Sequence, residues 1–329
     1  MINILSAVDE QWRYAVEWQR EKVCILFYIC TANEIQDLMK VAWSNDESRN
    51  EKRYGRPMKY SVLMSVYVNN SPDYLRAALE SIYEKQIRKP DEIVVVFDGP
   101  LNEQLDEVLT AFAADKKEVV RYLPQEMNRG LGEALRIGAE QCTGDYILRM
   151  DADDISAPDR FEKQIAYVEA HPEIDVLGTG IAEFQQSADE KMRLRVCPEA
   201  HEDIVKMGKR RNPMNHVSVC IKRTALEKCG GYWPLPLLED YYLWLRMIAA
   251  GCRFANIHEP LACVRVGNDF EARRGAKERI TGWKVLQEFM LKHGMITRTD
   301  ALMNMLCIRV FVNSPAGLKK IIYSVLLRK

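Results

Sequence analysis

Asp151, Asp153 and Asp154 put three carboxylates into four residues, directly behind the apolar run Tyr146-Ile-Leu-Arg-Met150. Crowded carboxylates repel one another, so they are held together at least cost around a cation. Oxygen-only donors suit Mg2+ or Mn2+, which bind through one or two carboxylates and complete their shells with water and phosphate oxygens. The plain alternative is an acidic, solvated loop capping a helix that begins near Pro158. Asp98 closes a second apolar run, Glu92–Phe97. A separate acidic pair, Glu239-Asp240, opens a helical run through Leu243, Leu245, Met247 and Ile248. On composition alone that pair complements a helix N-terminus. His216 follows Asn215 after Arg211-Asn-Pro, and a lone His is commonly a hydrogen-bonded core residue. His258, after the strand-like Arg253–Ile257, is a further candidate metal ligand. Arg273-Arg274 can grip a diphosphate or stand in a solvated basic loop. Trp233 and Trp244 can stack on a ligand face, although Trp more commonly packs in a core.

These groups need elements to position them. From residue 59 the chain alternates strands and helices. A doubly buried strand, Tyr60–Val68, precedes a helix opened by Ser71-Pro72, with Leu75, Ala78, Leu79 and Ile82 at helical spacing. Strand Glu92–Phe97 ends in Asp98-Gly-Pro, and a helix runs through Leu105, Val108, Leu109 and Phe112. A third strand, Val119–Leu123, leads to Asn128-Arg-Gly-Leu-Gly132 and a helix reaching about Cys142. The fourth, Tyr146–Met150, runs into the aspartates. Such alternation predicts an α/β fold with a mostly parallel sheet and right-handed crossovers. Ligands bind such sheets at the carboxyl ends of the strands, where Asn69, Asn70, Asp98 and Asp151–Asp154 fall.

The whole chain excludes several classes. It has 329 residues, 47% hydrophobic and 28% charged, enough for a full core and unlike disordered or collagen-like chains. Nine cysteines without a CxxC pair or a signal peptide read as reduced thiols in a cytosolic protein. The uncharged run Val23–Asn33 falls short of the roughly 20 residues a membrane span needs. Gly130-Leu-Gly132 fails the third position of a dinucleotide fingerprint, and no Walker A, HExxH or zinc spacing occurs. Hydride transfer, ATP hydrolysis and zinc chemistry are disfavoured.

As a set, Tyr60-Ser-Val-Leu-Met-Ser-Val-Tyr67, Val96-Phe-Asp-Gly-Pro100, Asn128-Arg-Gly-Leu-Gly132 and Met150-Asp-Ala-Asp-Asp through Phe161 resemble family 2 glycosyltransferases of the GT-A fold. Arg211-Asn-Pro-Met-Asn-His-Val-Ser218, Leu238-Glu-Asp-Tyr-Tyr-Leu-Trp-Leu-Arg246 and Arg265 through Gly275 extend the resemblance toward enzymes that build bacterial O-antigens and exopolysaccharides. The likeness runs from about 60 to 329. It implies inverting transfer of a hexose, with galactose favoured, from a UDP-sugar to a sugar on undecaprenyl diphosphate, often GlcNAc. By position, Asp98 would contact uracil or ribose, Asp151 the ribose and first phosphate, and Asp153 the Mn2+ or Mg2+. Asp240 would be the catalytic base and Glu239 an orienting or acceptor-binding neighbour. Tyr67, His216, Arg273 and Arg274 complete the substrate contacts. The chemistry agrees: a cation stabilises the departing diphosphate, and a carboxylate must deprotonate the attacking hydroxyl. The alternatives are a sugar-nucleotide pyrophosphorylase, whose Gly-rich basic loop after the first strand Val68-Asn-Asn-Ser-Pro72 does not supply, and a non-catalytic nucleotide-sugar-binding protein.

Net charge is −1 but uneven. Residues 271–329 carry twelve Lys/Arg against four acids, so this end is +8 and the remainder −9. Leu318, Ile321, Ile322, Val325 and Leu326 form an apolar helical stripe flanked by Lys319, Lys320, Arg328 and Lys329. The pattern fits either a helix on an anionic membrane surface or one packed on the domain with a basic rim. Without interleaved aromatics it does not read as a nucleic-acid site. The expected division is an N-terminal extension (1–58), a GT-A domain (59–270) and a basic helical tail (271–329). The resemblance places the whole in the cytoplasm, peripheral at the inner face of the plasma membrane.

Overall fold

The computed structural model describes residues 58–185, 192–266 and 278–314. The apolar run Val23–Cys30, Arg273, Arg274 and the stripe Leu318–Leu326 lie outside the described residues.

Four strands form a parallel block: β1 (Tyr60–Val66), β2 (Glu92–Phe97), β3 (Val120–Pro124) and β4 (Tyr146–Asp151). They are linked by α1 (Pro72–Ile82), α2 (Glu103–Ala113) and α3 (Leu131–Gln141). Side chains alternate between two cores, as the period of a strand requires. Tyr60, Val62, Met64 and Val66 face the core with α1, α2 and Phe161, whereas Leu63 faces α3 in the second core, which also holds Trp244. In β4, Tyr146, Leu148 and Met150 share the first core and Ile147 the second. That alternation puts Arg149 and Asp151 on the second face. β1 stops two residues before the expected Val68, because the Tyr67 amide donates to Asn70 Oδ1 at 2.8 Å and turns the chain.

Beyond β4 the sheet becomes mixed. The chain continues through β5 (Ile155–Ser156), α4 (Arg160–Ala170), β6 (Val176–Phe184), β7 (Arg193–Arg195) and α5 (His201–Gly208). A 3-10 turn, His216–Ser218, leads to β8 (Cys220–Lys222), α6 (Arg223–Lys228), α7 (Glu239–Ala249) and β9 (Phe254–Arg265). The strand order is β3-β2-β1-β4-β8-β6-β9-β5, with β7 beside β6. β8 runs antiparallel to β4 and β6, while β6 and β9 are parallel. The expected mostly parallel sheet is thus the block up to β4.

Two further helices, α8 (Glu278–Lys292) and α9 (Arg298–Asn313), follow β9. Leu286, Met290, Ile296 and Ala301 join Leu238, Tyr241 and Leu245 of the α7 region in a third apolar cluster. These helices therefore pack on the element that begins with Glu239.

Candidate active site

A cleft of about 2120 Å³ opens over the carboxyl ends of the parallel strands and is bordered by α7, α8 and α9. Tyr67, Asp98, Asp151, Asp153, His216, Glu239 and Asp240 all line it. The sequence candidates at five separate stretches of chain are brought to one place.

Asp98 is held at its β2 end by backbone. Its carboxylate accepts from the amides of Arg129 (2.7 Å) and Gly130 (3.0 Å), the two residues just before α3. Gly99 allows this close approach: its φ is +90°, and a Cβ there would stand 2.7 Å from the Asn128 nitrogen. One side chain thus couples two strand ends.

At the end of β4, the ligand oxygens of Asp151, Asp153 and Asp154 all lie within 4.8 Å of one another. Asp154 is buried and accepts from the Arg265 amide at 2.8 Å. Burial, then the charges of Asp151 and Asp153, push its carboxyl well above the usual range. A cluster this strained toward protonation is relieved by a divalent ion, and its all-oxygen donors match Mn2+ or Mg2+. His258 is not part of the cluster; it faces Glu199 at 3.5 Å.

Glu239 and Asp240 form the first turn of α7. Asp240 accepts from Asn212 Nδ2 at 2.5 Å and from the Tyr241 amide at 2.7 Å. Burial raises its pKa, against the pull of those two bonds. Burial and the neighbouring Asp240 push Glu239 up to about 7. Side by side in this turn, the two carboxyls titrate as a pair. Gly132, in the first turn of α3, brings that helix against them: a Cβ there would meet the Glu239 Cβ at 3.2 Å.

Arg149 escaped the sequence reading, although its signal was plain. A charge inside the run Tyr146–Met150 needs a partner if that run is a buried strand. Its side chain is 3% exposed and ion-paired with Asp151. Its positive charge works against the burial that raises the Glu239, Asp240 and Tyr232 pKa values. It therefore joins the two acidic sites electrically. Asn212, inside the quoted Arg211-Asn-Pro, was likewise missed as the partner of Asp240.

His216 Nε2 lies 3.0 Å from the Tyr232 hydroxyl, with its ring edge-on to Trp244 at 5.9 Å. Burial, then Arg149, holds its pKa well below the usual value. It is a neutral hydrogen-bonding group, not a cation. Trp244 is fully buried core. Trp233 is exposed beneath Arg246, 5.4 Å from its ring.

Comparison with known proteins agrees with this geometry. An uncharacterized glycosyltransferase of Haemophilus influenzae is 42% identical over 237 residues, 72% of this chain and 86% of its own. The amylovoran biosynthesis glycosyltransferase AmsE of Erwinia amylovora is 39% identical, over 69% and 82%. The UDP-Gal:alpha-D-GlcNAc-diphosphoundecaprenol beta-1,3-galactosyltransferase of Escherichia coli is 31% identical, over 82% and 97%. In fold, the chain resembles S. aureus TarS residues 1–349 (TM-score 0.58, 18% identity, covering 82% of this chain and 76% of that one). It also resembles a mannosyltransferase of Pyrobaculum calidifontis solved with GDP-Man and Mn2+ (TM-score 0.53, 15% identity, covering 84% and 86%). The family model for glycosyl transferase family 2 matches residues 61–230, the span that carries Asp98, the aspartate cluster, Asn212 and His216. With that match and relatives at this identity, the chain belongs to glycosyl transferase family 2 and is a glycosyltransferase of the GT-A fold.

Proposed function

We propose that this enzyme moves a hexose, with galactose the first to test, from a UDP-sugar to a sugar carried on undecaprenyl diphosphate, in O-antigen or exopolysaccharide assembly. The observation that carries the reading is two acidic sites of different character on one cleft. Asp151, Asp153 and Asp154 form a cation-seeking cluster, and Glu239-Asp240 forms a raised-pKa pair joined to it through Arg149. The names of the Escherichia coli and Erwinia amylovora relatives support the donor, acceptor and polymer class.

Asp153, with Asp151 beside it, would hold Mn2+ or Mg2+, which would supply Lewis-acid stabilisation of charge on the diphosphate. Asp98 and the loop amides it fixes receive the uracil or ribose, and Tyr67 borders the same space. Arg149 neutralises Asp151, so that a diphosphate approaching this end meets less negative charge. Asp240 takes the proton of the acceptor hydroxyl as that oxygen bonds to the anomeric carbon. The bond to the diphosphate breaks on the opposite face, UDP leaves, and the configuration inverts. Asn212 fixes the carboxylate that does this. Glu239 and neutral His216 would hydrogen-bond the acceptor. Arg273 and Arg274 would grip the diphosphate. Residues 59–270 carry the transfer, and 271–329 associate with the inner face of the membrane, although Arg279 and Trp283 also line the cleft. No helix among the described residues is long and apolar enough to cross a membrane.

The test is incubation of the full chain with a panel of UDP-sugars, Mn2+ and a synthetic GlcNAc-diphosphate-lipid. The expected result is UDP release with an extended glycan for one donor. Failure of every donor overturns the proposal.

A further inference from the structure

α9 is apolar on two opposite faces. Ala301, Ile308 and Val312 are buried against the domain. On the outer side, Leu302, Met303, Leu306 and Val310 are 70%, 53%, 54% and 56% exposed. Leu302, Leu306 and Val310 recur every four residues, a stripe rather than scattered singles. Such a stripe on an otherwise finished helix marks a surface with an occupant.

Charge around the stripe says which occupant. Asn304 Nδ2 donates to the Lys209 carbonyl at 2.9 Å, fastening α9 beside the turn Lys209-Arg210-Arg211. Lys209, Arg210, Arg298 and Arg309 are exposed around it. The helix's one acid, Asp300, bonds Thr297 in a capping box and also faces the charges of Arg210 and Lys209, so the cations around it outnumber it. No acid follows Asp300 in the sequence, and Lys319, Lys320, Arg328 and Lys329 do. Leu306, Val310, Lys209 and Arg210 also line the cleft, so the patch is continuous with its mouth. An apolar stripe rimmed by cations matches a surface that offers acyl chains below and anionic headgroups above.

We propose that the outer face of α9, with the Lys209–Arg211 turn, rests on an anionic lipid surface and holds the cleft mouth against it. This rests on the lipid-linked acceptor proposed above, because the reacting sugar of such an acceptor is presented at that surface.

The experiment uses the full chain and needs no acceptor. It is sedimented with phosphatidylcholine vesicles, with and without phosphatidylglycerol, at low and high salt. Selective, salt-sensitive binding to the anionic vesicles is expected, lowered at least about tenfold by Leu302→Asp with Met303→Asp. Neither residue lines the cleft, so transfer to a GlcNAc-diphosphate on a short, water-soluble chain stays within about twofold of wild type, while transfer to vesicle-borne acceptor falls. Cys307 is exposed on the same helix. Its maleimide labelling, followed by peptide mass spectrometry, is fast in solution and suppressed by anionic vesicles. Equal binding by wild type and the double variant overturns the proposal, as does binding indifferent to phosphatidylglycerol. A solution dimer that the double variant dissociates assigns the face to a second copy instead. A monomer whose Cys307 resists labelling without vesicles assigns it to another segment of the chain. Vesicle binding with no transfer to any acceptor refutes the proposed reaction and leaves this surface standing.

Discussion

The two ends of the cleft hold their carboxylates by different means. At the strand ends, Asp98 is bound by the amides of Arg129 and Gly130, and Asp154 by the amide of Arg265. Backbone donors are fixed by the fold and cannot be lost by substituting a partner side chain. At the start of α7, Asp240 depends on the Asn212 side chain, and Glu239 takes its character from burial and from Asp240. The first arrangement suits groups that recognise one invariant moiety, the role proposed above for the nucleoside-diphosphate end. The second can be retuned by single residues, which suits the end proposed to meet varied acceptors. Arg149 spans both, and changes at it should be felt at each end.

The largest expected effect isolates the α7 end. Asp240→Asn keeps shape and the backbone bond but cannot accept a proton, so kcat falls about 10³-fold, in the range of a lost general base. UDP affinity, measured by calorimetry with Mn2+ present, stays at the wild-type value. Asp153→Ala does the reverse: the metal-dependent part of UDP affinity falls by roughly 10- to 100-fold, the worth of a charge-assisted contact. If Asp240→Asn also weakens UDP binding, the two ends are not separable and the comparison fails.

Arg149→Met tests the link. Removing the guanidinium takes away a positive charge that counters the rise of the Glu239 and Asp240 carboxyls, so both rise further. Wild-type kcat should fall as pH drops into the range where Asp240, its carboxyl raised by burial, takes up a proton. The sign follows from the base: it works only ionised, so a raised pKa moves the loss to higher pH. In Arg149→Met the midpoint moves up by on the order of one pH unit, and Arg149→Lys restores most of the shift. A merely structural arginine would lower the melting temperature without moving that midpoint.

What could be read in advance follows the same division. β1, β2 and β4 are continuous apolar runs because both their faces are covered, and their carboxyl ends located Asp98 and the aspartate cluster. β6 is buried at all nine positions but contains Gly178, Thr179, Gly180 and Glu183, and β8 is only three residues long, so neither carries a clear period. Pairings such as Asn212 with Asp240 or Thr179 with Asn215 join residues 28 and 36 apart and leave no local trace. The role of Glu239-Asp240 came from resemblance, since two acids at a helix start are also ordinary dipole partners. Arg149 was legible in principle, as a charge within a strand predicted to be buried.

Asn212→Ala gives the smallest effect and the finest distinction. The Asn212 bond favours the ionised form of Asp240, so its loss raises the Asp240 pKa and frees the carboxylate to turn. A lost bond to a charged group is worth about 1.5–3 kcal/mol, but the freed carboxylate can regain solvent and acceptor partners, leaving a fall of roughly 3- to 10-fold in kcat at pH 7. Raising the pH separates the two contributions. A deficit that vanishes at pH 8.5 or so means Asn212 acts through the pKa, whereas one that persists means it aims the base. Only the second outcome makes the α7 end a geometric device comparable to the amide-bound aspartates, with Asn212 standing where Arg129 and Gly130 stand for Asp98.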